Sequence, residues 1–75
     1  MARVLHLLPR PSGPLAATVI RGDVAAGDEV TVALLAEGAL DPPLPDAVSV
    51  HRVPTDWSYD RLLEQIFWAD RVVTW

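Results

Sequence analysis

The stretch YDRLLEQIFWADRVVTW, residues 59–75, decides how this chain is read. Its first half places Tyr59, Leu62, Leu63, Ile66 and Phe67 at i, i+3, i+4, i+7 and i+8, one stripe of an amphipathic helix. That stripe is expected to be core, so truncating Leu63 should remove core packing. Thr55, Asp56 or Ser58 can cap the helix, and Asp60 lies in its first turn, where the helix dipole favours negative charge. Trp68 falls about 180° from Tyr59 on such a helix, on the polar side with Arg61 and Glu64, and is expected to be exposed. After Ala69 and Asp70, the run RVVTW has β-branched residues and an aromatic, and reads as a strand. Tails are usually polar and frayed. This one is apolar, so it is expected to pair into a sheet and pack.

Working back from that stretch, apolar runs alternate with breakers. RVLHLL (3–8) reads as a first strand that stops at Pro9, and PRPSGP supplies a loop. Pro14 suits the first position of a helix, with Ser12 or Gly13 before it as cap, and Leu15, Ala16, Val19, Ile20 and Val24 roughly share a face. Gly22 weakens the middle of that helix, and Gly27 is placed to end it. DEVTVALLAEG (28–38) runs apolar from Val30 to Leu35 on both alternating faces, as a strand covered on both sides should, so it belongs in or next to the middle of the sheet. LDPPLP (40–45) holds three prolines and is a connector. AVSVHRV (47–53) reads as a third strand with Val48, Val50 and Arg52 on one side and Ser49, His51 and Val53 on the other, ended by Pro54. The order strand, helix, strand, connector, strand, helix, strand predicts an α/β fold. It should have a small, mainly parallel sheet of about four strands, right-handed crossovers and two helices on its faces.

Composition bounds the function. Seventy-five residues make a single domain, residues 1–75, that buries only about 60–65% of the surface its unfolded chain would expose. Hydrophobic residues are 51% of the chain, enough that some apolar surface is expected to need a partner. There is no cysteine, which excludes a disulfide, a thiolate metal site and a sulfur nucleophile, and a cytoplasmic protein is expected. No apolar run reaches the length of a signal peptide or a membrane span, so no membrane partner is expected. The net charge is −4, and the six basic residues, all Arg, are scattered, so no direct nucleic-acid binding is expected.

Three stretches are similar to the DsrH/TusB branch of the DsrE-like sulfur-relay proteins: VLHLLPR (4–10), GDEVTVALLAEGA (27–39) and the closing YDRLLEQIFWADRVVTW. That branch likewise opens with a Leu-His strand followed by a basic, Ser/Pro-containing loop, has a Gly-Asp strand running to an acidic residue and Gly, and closes on Tyr-Asp, an apolar helix, a turn and a short strand ending in Trp. The stretches cover about half the chain. The resemblance implies a DsrE-like, flavodoxin-related fold and a subunit of a hetero-oligomer that relays persulfide sulfur, toward tRNA thiolation or within sulfur oxidation, with DsrE-like protein partners. Two departures shape that expectation. The family has more chain between its second strand and final helix, so a strand or helix is missing here. Persulfide transfer needs a thiolate; a chain with no cysteine would therefore be non-catalytic, with a structural role.

Candidate site residues follow from the pattern. His6 sits late in the first strand, near the crevice where open α/β sheets bind ligands, and Arg10 and Ser12 lie in the loop before a helix, where backbone N–H groups can meet an anion. Core packing for His6 and plain loop and cap roles for Arg10 and Ser12 are the alternatives. His51 reads as a solvated surface residue. Two histidines without close acidic spacing give no metal site, and no cofactor is expected. Ser12, His6 and Asp56 lack the G-x-S-x-G elbow of a hydrolase, and loop solubility accounts for Glu37 and Asp56 as well as acid/base chemistry does. Trp57, Trp68 and Trp75 stand clear of the helical stripe and are expected to mark a protein interface. Three functions compete: a non-catalytic DsrH/TusB-like subunit, a self-associating module forming a homo-oligomer with no sulfur pathway, and a small-anion-binding domain or enzyme at the crevice near His6 and Arg10.

Overall fold

The computed structural model describes residues 2–9, 14–36 and 47–75. Among them the chain runs β1 (Arg3–Leu8), α1 (Pro14–Ala25), β2 (Glu29–Leu35), β3 (Ser49–Val53), α2 (Tyr59–Trp68) and β4 (Arg71–Thr74). The four strands form one sheet in the order β3-β2-β1-β4, every neighbouring pair parallel. This is the expected α/β architecture, with β2 inside the sheet and the last strand paired to the first. The caps at Ser12 and Gly13, the residues Arg10 and Glu37 and the connector 40–45 lie outside the described residues.

The alternation of β1 and β2 splits the core in two. Leu8, Val30, Val32 and Leu34 point to the α1 face, where they pack with Ala16, Ile20 and Val48 and with half-buried Val24 and Trp75. Leu5, Ala33 and Val53 point to the other face and pack with Trp57 and Leu62 of the α2 segment. Both faces of β1 and β2 are thereby covered, which is what a near-continuous apolar run in a parallel sheet requires. On β3 the buried position is Val53, while Val50 is exposed, so the better-covered side is the one that carries His51.

The ends of α1 and α2 follow local chemistry. Gly27 has φ +88°, its N–H donates to the Val24 carbonyl, and the Asp28 N–H donates to the Asp23 carbonyl. That pair of bonds closes a helix through a left-handed residue, a conformation that Gly adopts without a Cβ clash. Ser58 caps α2 by accepting from the Arg61 N–H at 3.1 Å.

The helical stripes are rotated from their expected positions. On α1 the buried residues are Ala16, Ala17 and Ile20, and Leu15 is 68% exposed. Small alanines let the helix sit close to the sheet, and that orientation leaves Leu15 and Val19 at its margin. On α2 only Leu62 is buried and Ile66 half-buried, whereas Tyr59, Leu63 and Phe67 are 67%, 54% and 82% exposed. Trp68 is half-buried, not exposed, because the Arg3 guanidinium lies over its ring at 5.0 Å from the centroid.

Leu62→Ala should lower stability by about 2–5 kcal/mol. Leu63→Ala should cost well under that, reversing the order that the stripe alone predicts. Gly22 has open space where a Cβ would stand; Gly22→Ala should therefore stabilise by about 0.5–1 kcal/mol, raising the melting temperature by a few degrees. Urea and thermal unfolding of the three variants check both.

Candidate functional site

His6 is the centre of a chain of polar contacts on the α1 face. It sits in β1 between Leu5 and Leu7, and its side chain has no exposed surface. A buried imidazole needs partners for both nitrogens. Trp75 supplies one: its indole Nε1 lies 3.0 Å from His6 Nδ1. Asp23 supplies the other, its Oδ2 lying 2.9 Å from His6 Nε2. An indole N–H only donates, so Nδ1 is the acceptor and the ring proton is on Nε2, donated to the carboxylate. The tautomer is fixed by the chemistry of the neighbours.

The fold explains why these residues meet. Val4 and Leu8 flank His6 on the α1 side of β1, and Val73 of β4 stands opposite His6. Leu7 pairs with Thr74, so Trp75, one residue further, falls beside Leu8 and turns to the same face as His6. The Trp75 N–H donates to the Leu7 carbonyl at 3.0 Å, and the indole stacks by His6 with ring centroids 6.1 Å apart. Asp23 follows Ile20 by three residues, which puts a carboxylate on the buried side of α1.

The network continues outward to β4. Arg71 donates from Nη2 to Asp23 Oδ1 at 3.1 Å and lies 3.6 Å from Asp28 Oδ2, while Asp28 Oδ1 accepts from the Ala2 N–H at 3.2 Å. At the foot of the strand Asp70 takes both backbone groups of Arg3, accepting from its N–H at 2.9 Å and donating to its carbonyl at 2.8 Å. Arg71 is 53% exposed, so its ion pairs contribute little each. Their geometric effect is larger: α1, β1, β4 and the turn before β2 are joined. No buried side-chain nitrogen or oxygen among the described residues lacks a partner.

This arrangement corrects the expectation of a ligand contact at His6. Both nitrogens are engaged within the chain and the ring is covered, which is the core-packing alternative. Arg10 and Ser12 lie outside the described residues. The tryptophans are also accounted for internally: Trp57 is buried in the α2-side core and stacked on His51 at 4.3 Å, Trp68 lies under Arg3, and Trp75 is half-buried on His6. His51 is half-buried, stacked against Trp57. Asp56 holds the end of β3, accepting from the Arg52 N–H at 2.8 Å. No cluster of three or more metal-ligating side chains occurs among the described residues, and no described helix is long and apolar enough to cross a membrane.

What stands in solvent instead is apolar: Leu15 on α1, and Tyr59, Leu63 and Phe67 on α2. The sequence pattern assigns the three on α2 to core and places Leu15 on the shared face of α1. The signal for His6 was present but indirect, since a histidine inside an apolar strand must find partners and Asp23 is the single acidic residue of α1. Compared with protein-family models, curated proteins and solved structures, the chain matches none of them.

Nitrogen-detected NMR of the imidazoles should show His6 with a protonated Nε2 and a bare Nδ1. Trp75→Phe keeps the ring packing but leaves Nδ1 buried without a donor, and should destabilise by about 1–3 kcal/mol. Trp68→Phe should change stability far less.

Proposed function

We propose that the chain is a non-catalytic subunit of a sulfur-relay complex of the DsrH/TusB kind, acting by binding other proteins. The observation that carries the binding role is the exposure of large apolar side chains on the outer sides of both helices: 68% for Leu15, and 67%, 54% and 82% for Tyr59, Leu63 and Phe67. The core beneath them is complete without them, so they are surface that gains from association.

Two further features support the reading. The chain has no thiolate to carry persulfide, and both nitrogens of its buried histidine are engaged within the chain. The three stretches that resemble DsrH/TusB supply β1, β2 and α2 with β4, and the Leu-His strand and the closing Trp touch through the His6–Trp75 bond. A residue pair 69 positions apart in sequence thus ties the two ends of the resemblance together.

Affinity capture from the native host with tagged full-length chain should recover a cysteine-bearing DsrE-like protein. Leu15→Asp should reduce that recovery several-fold while leaving the melting temperature near that of the unaltered chain. Recovery of no such protein, with the chain folded, would count against the sulfur-relay role.

A further inference from the structure

The α2 stripe and the open edge of β4 form one surface, and we infer that its occupant is a second copy of this chain, paired β4 to β4 in antiparallel fashion about a two-fold axis. The inference rests on reading the exposed apolar face of α2 as a contact surface and names what covers it. The α1 side, with Leu15 and Val19, stays free for a different partner.

The geometry brings stripe and edge together. Seen from the α2 side with strands running upward, a right-handed β3–α2–β4 crossover puts β4 on the right. α2 then descends, and its residues turn clockwise viewed from its N-terminus. Leu62 marks the buried side. Tyr59, Leu63 and Phe67 lie about 60°, 100° and 140° further round at 3.6 residues per turn, so they overhang toward β4. Val72, on the α2 face of β4 and 37% exposed, forms the floor below them.

Among the described residues the edge itself is free. No strand among the described residues pairs with the outer side of β4. Trp75 donates its N–H to β1, and alternate residues of a strand bond to a given neighbour, so Val73 also faces β1. Val72 and Thr74 therefore turn their N–H and C=O outward. In an antiparallel pair, Val72 of one copy meets Thr74 of the other twice over, with the axis at Val73.

A two-fold contact must be self-complementary, and this surface is. The stripe reads aromatic, leucine, aromatic, symmetric about Leu63: Tyr59 meets Phe67 of the second copy and Leu63 meets its own mate. The levels agree. Leu63 is five residues from the end of α2, about 7.5 Å up its axis, and Val73 is two residues into β4, about 6.6 Å up the strand. One axis passes near both. With α2 seated over β1, the two helices stand about three strand spacings apart, roughly 14 Å, wider than the usual 8–10 Å. Tyr59 and Phe67 are long enough to fill such a gap above the two Val72 side chains. Asp60 and Glu64 border the stripe on its solvent side and bring like charge to the rim, so added salt should tighten the pairing.

Sedimentation equilibrium of the full chain should give a dimer that dissociates on dilution. Thr74→Pro removes an outward N–H that β1 does not use, and Leu63→Asp sets two carboxylates near the axis; each should yield a folded monomer by circular dichroism. Because the chain has no cysteine, Val73→Cys gives a single reporter. Under mild oxidation it should form a covalent dimer within minutes, while Val50→Cys on the opposite edge should stay monomeric. A monomer at all concentrations, a dimer indifferent to Thr74→Pro, or cross-linking no faster at 73 than at 50 would overturn the inference. A monomeric chain that still captures a DsrE-like protein would sink this dimer and keep the relay role. A Val73-linked dimer that captures none would do the reverse.

Discussion

An indole nitrogen donates a hydrogen bond and cannot accept one, and that restriction determines how β4 joins this sheet. The donor of Trp75 selects the bare Nδ1 of His6, which sends the ring proton through Nε2 to Asp23, and the second oxygen of Asp23 takes Arg71 of β4. The strand is thus held through α1 as well as through its ladder to β1. At its foot, Asp70 closes on both backbone groups of Arg3. In a domain too small for a deep core, a saturated buried network of this kind decides whether a short edge strand stays in place. Losing Trp75 or Asp23 leaves a nitrogen of the buried His6 without its partner.

The elements and their order were legible in the sequence because each rests on local rules: the Pro9 stop, Gly27 as a left-handed terminator, Ser58 as a cap, and β-branched runs between them. The parallel sheet followed from the alternation of strands and helices. The rotation of the helices did not follow. A stripe of five apolar residues on α2 covers about 140° at 3.6 residues per turn, whereas the sheet takes only the margin around Leu62 and Ile66. Periodicity reports which residues share a face and is silent on how far that face is turned from the core. On α1 the same limit appears, since two alanines won the contact over Leu15 and Val19.

The candidate site shows the other limit. His6 was recognisable as a residue in need of partners, but Asp23 and Trp75 reach it across 17 and 69 positions, through a register that no local pattern states. Once those partners are in place, His6 changes from a candidate ligand contact into a tie. The tryptophans change in the same direction, from contact surface to internal packing, and Tyr59, Leu63, Phe67 and Leu15 take over the exposed positions. The proposed role in association keeps its physical motive, unburied apolar surface, and moves to different side chains.

The tie between Trp75 and His6 is tested most directly by amide and indole hydrogen exchange under native conditions. If β4 is locked as described, the Trp75 backbone N–H and its Nε1–H exchange only with global unfolding, alongside the amides of β1. Exchange of both at the rate of an unstructured peptide, with β1 still protected, would contradict it.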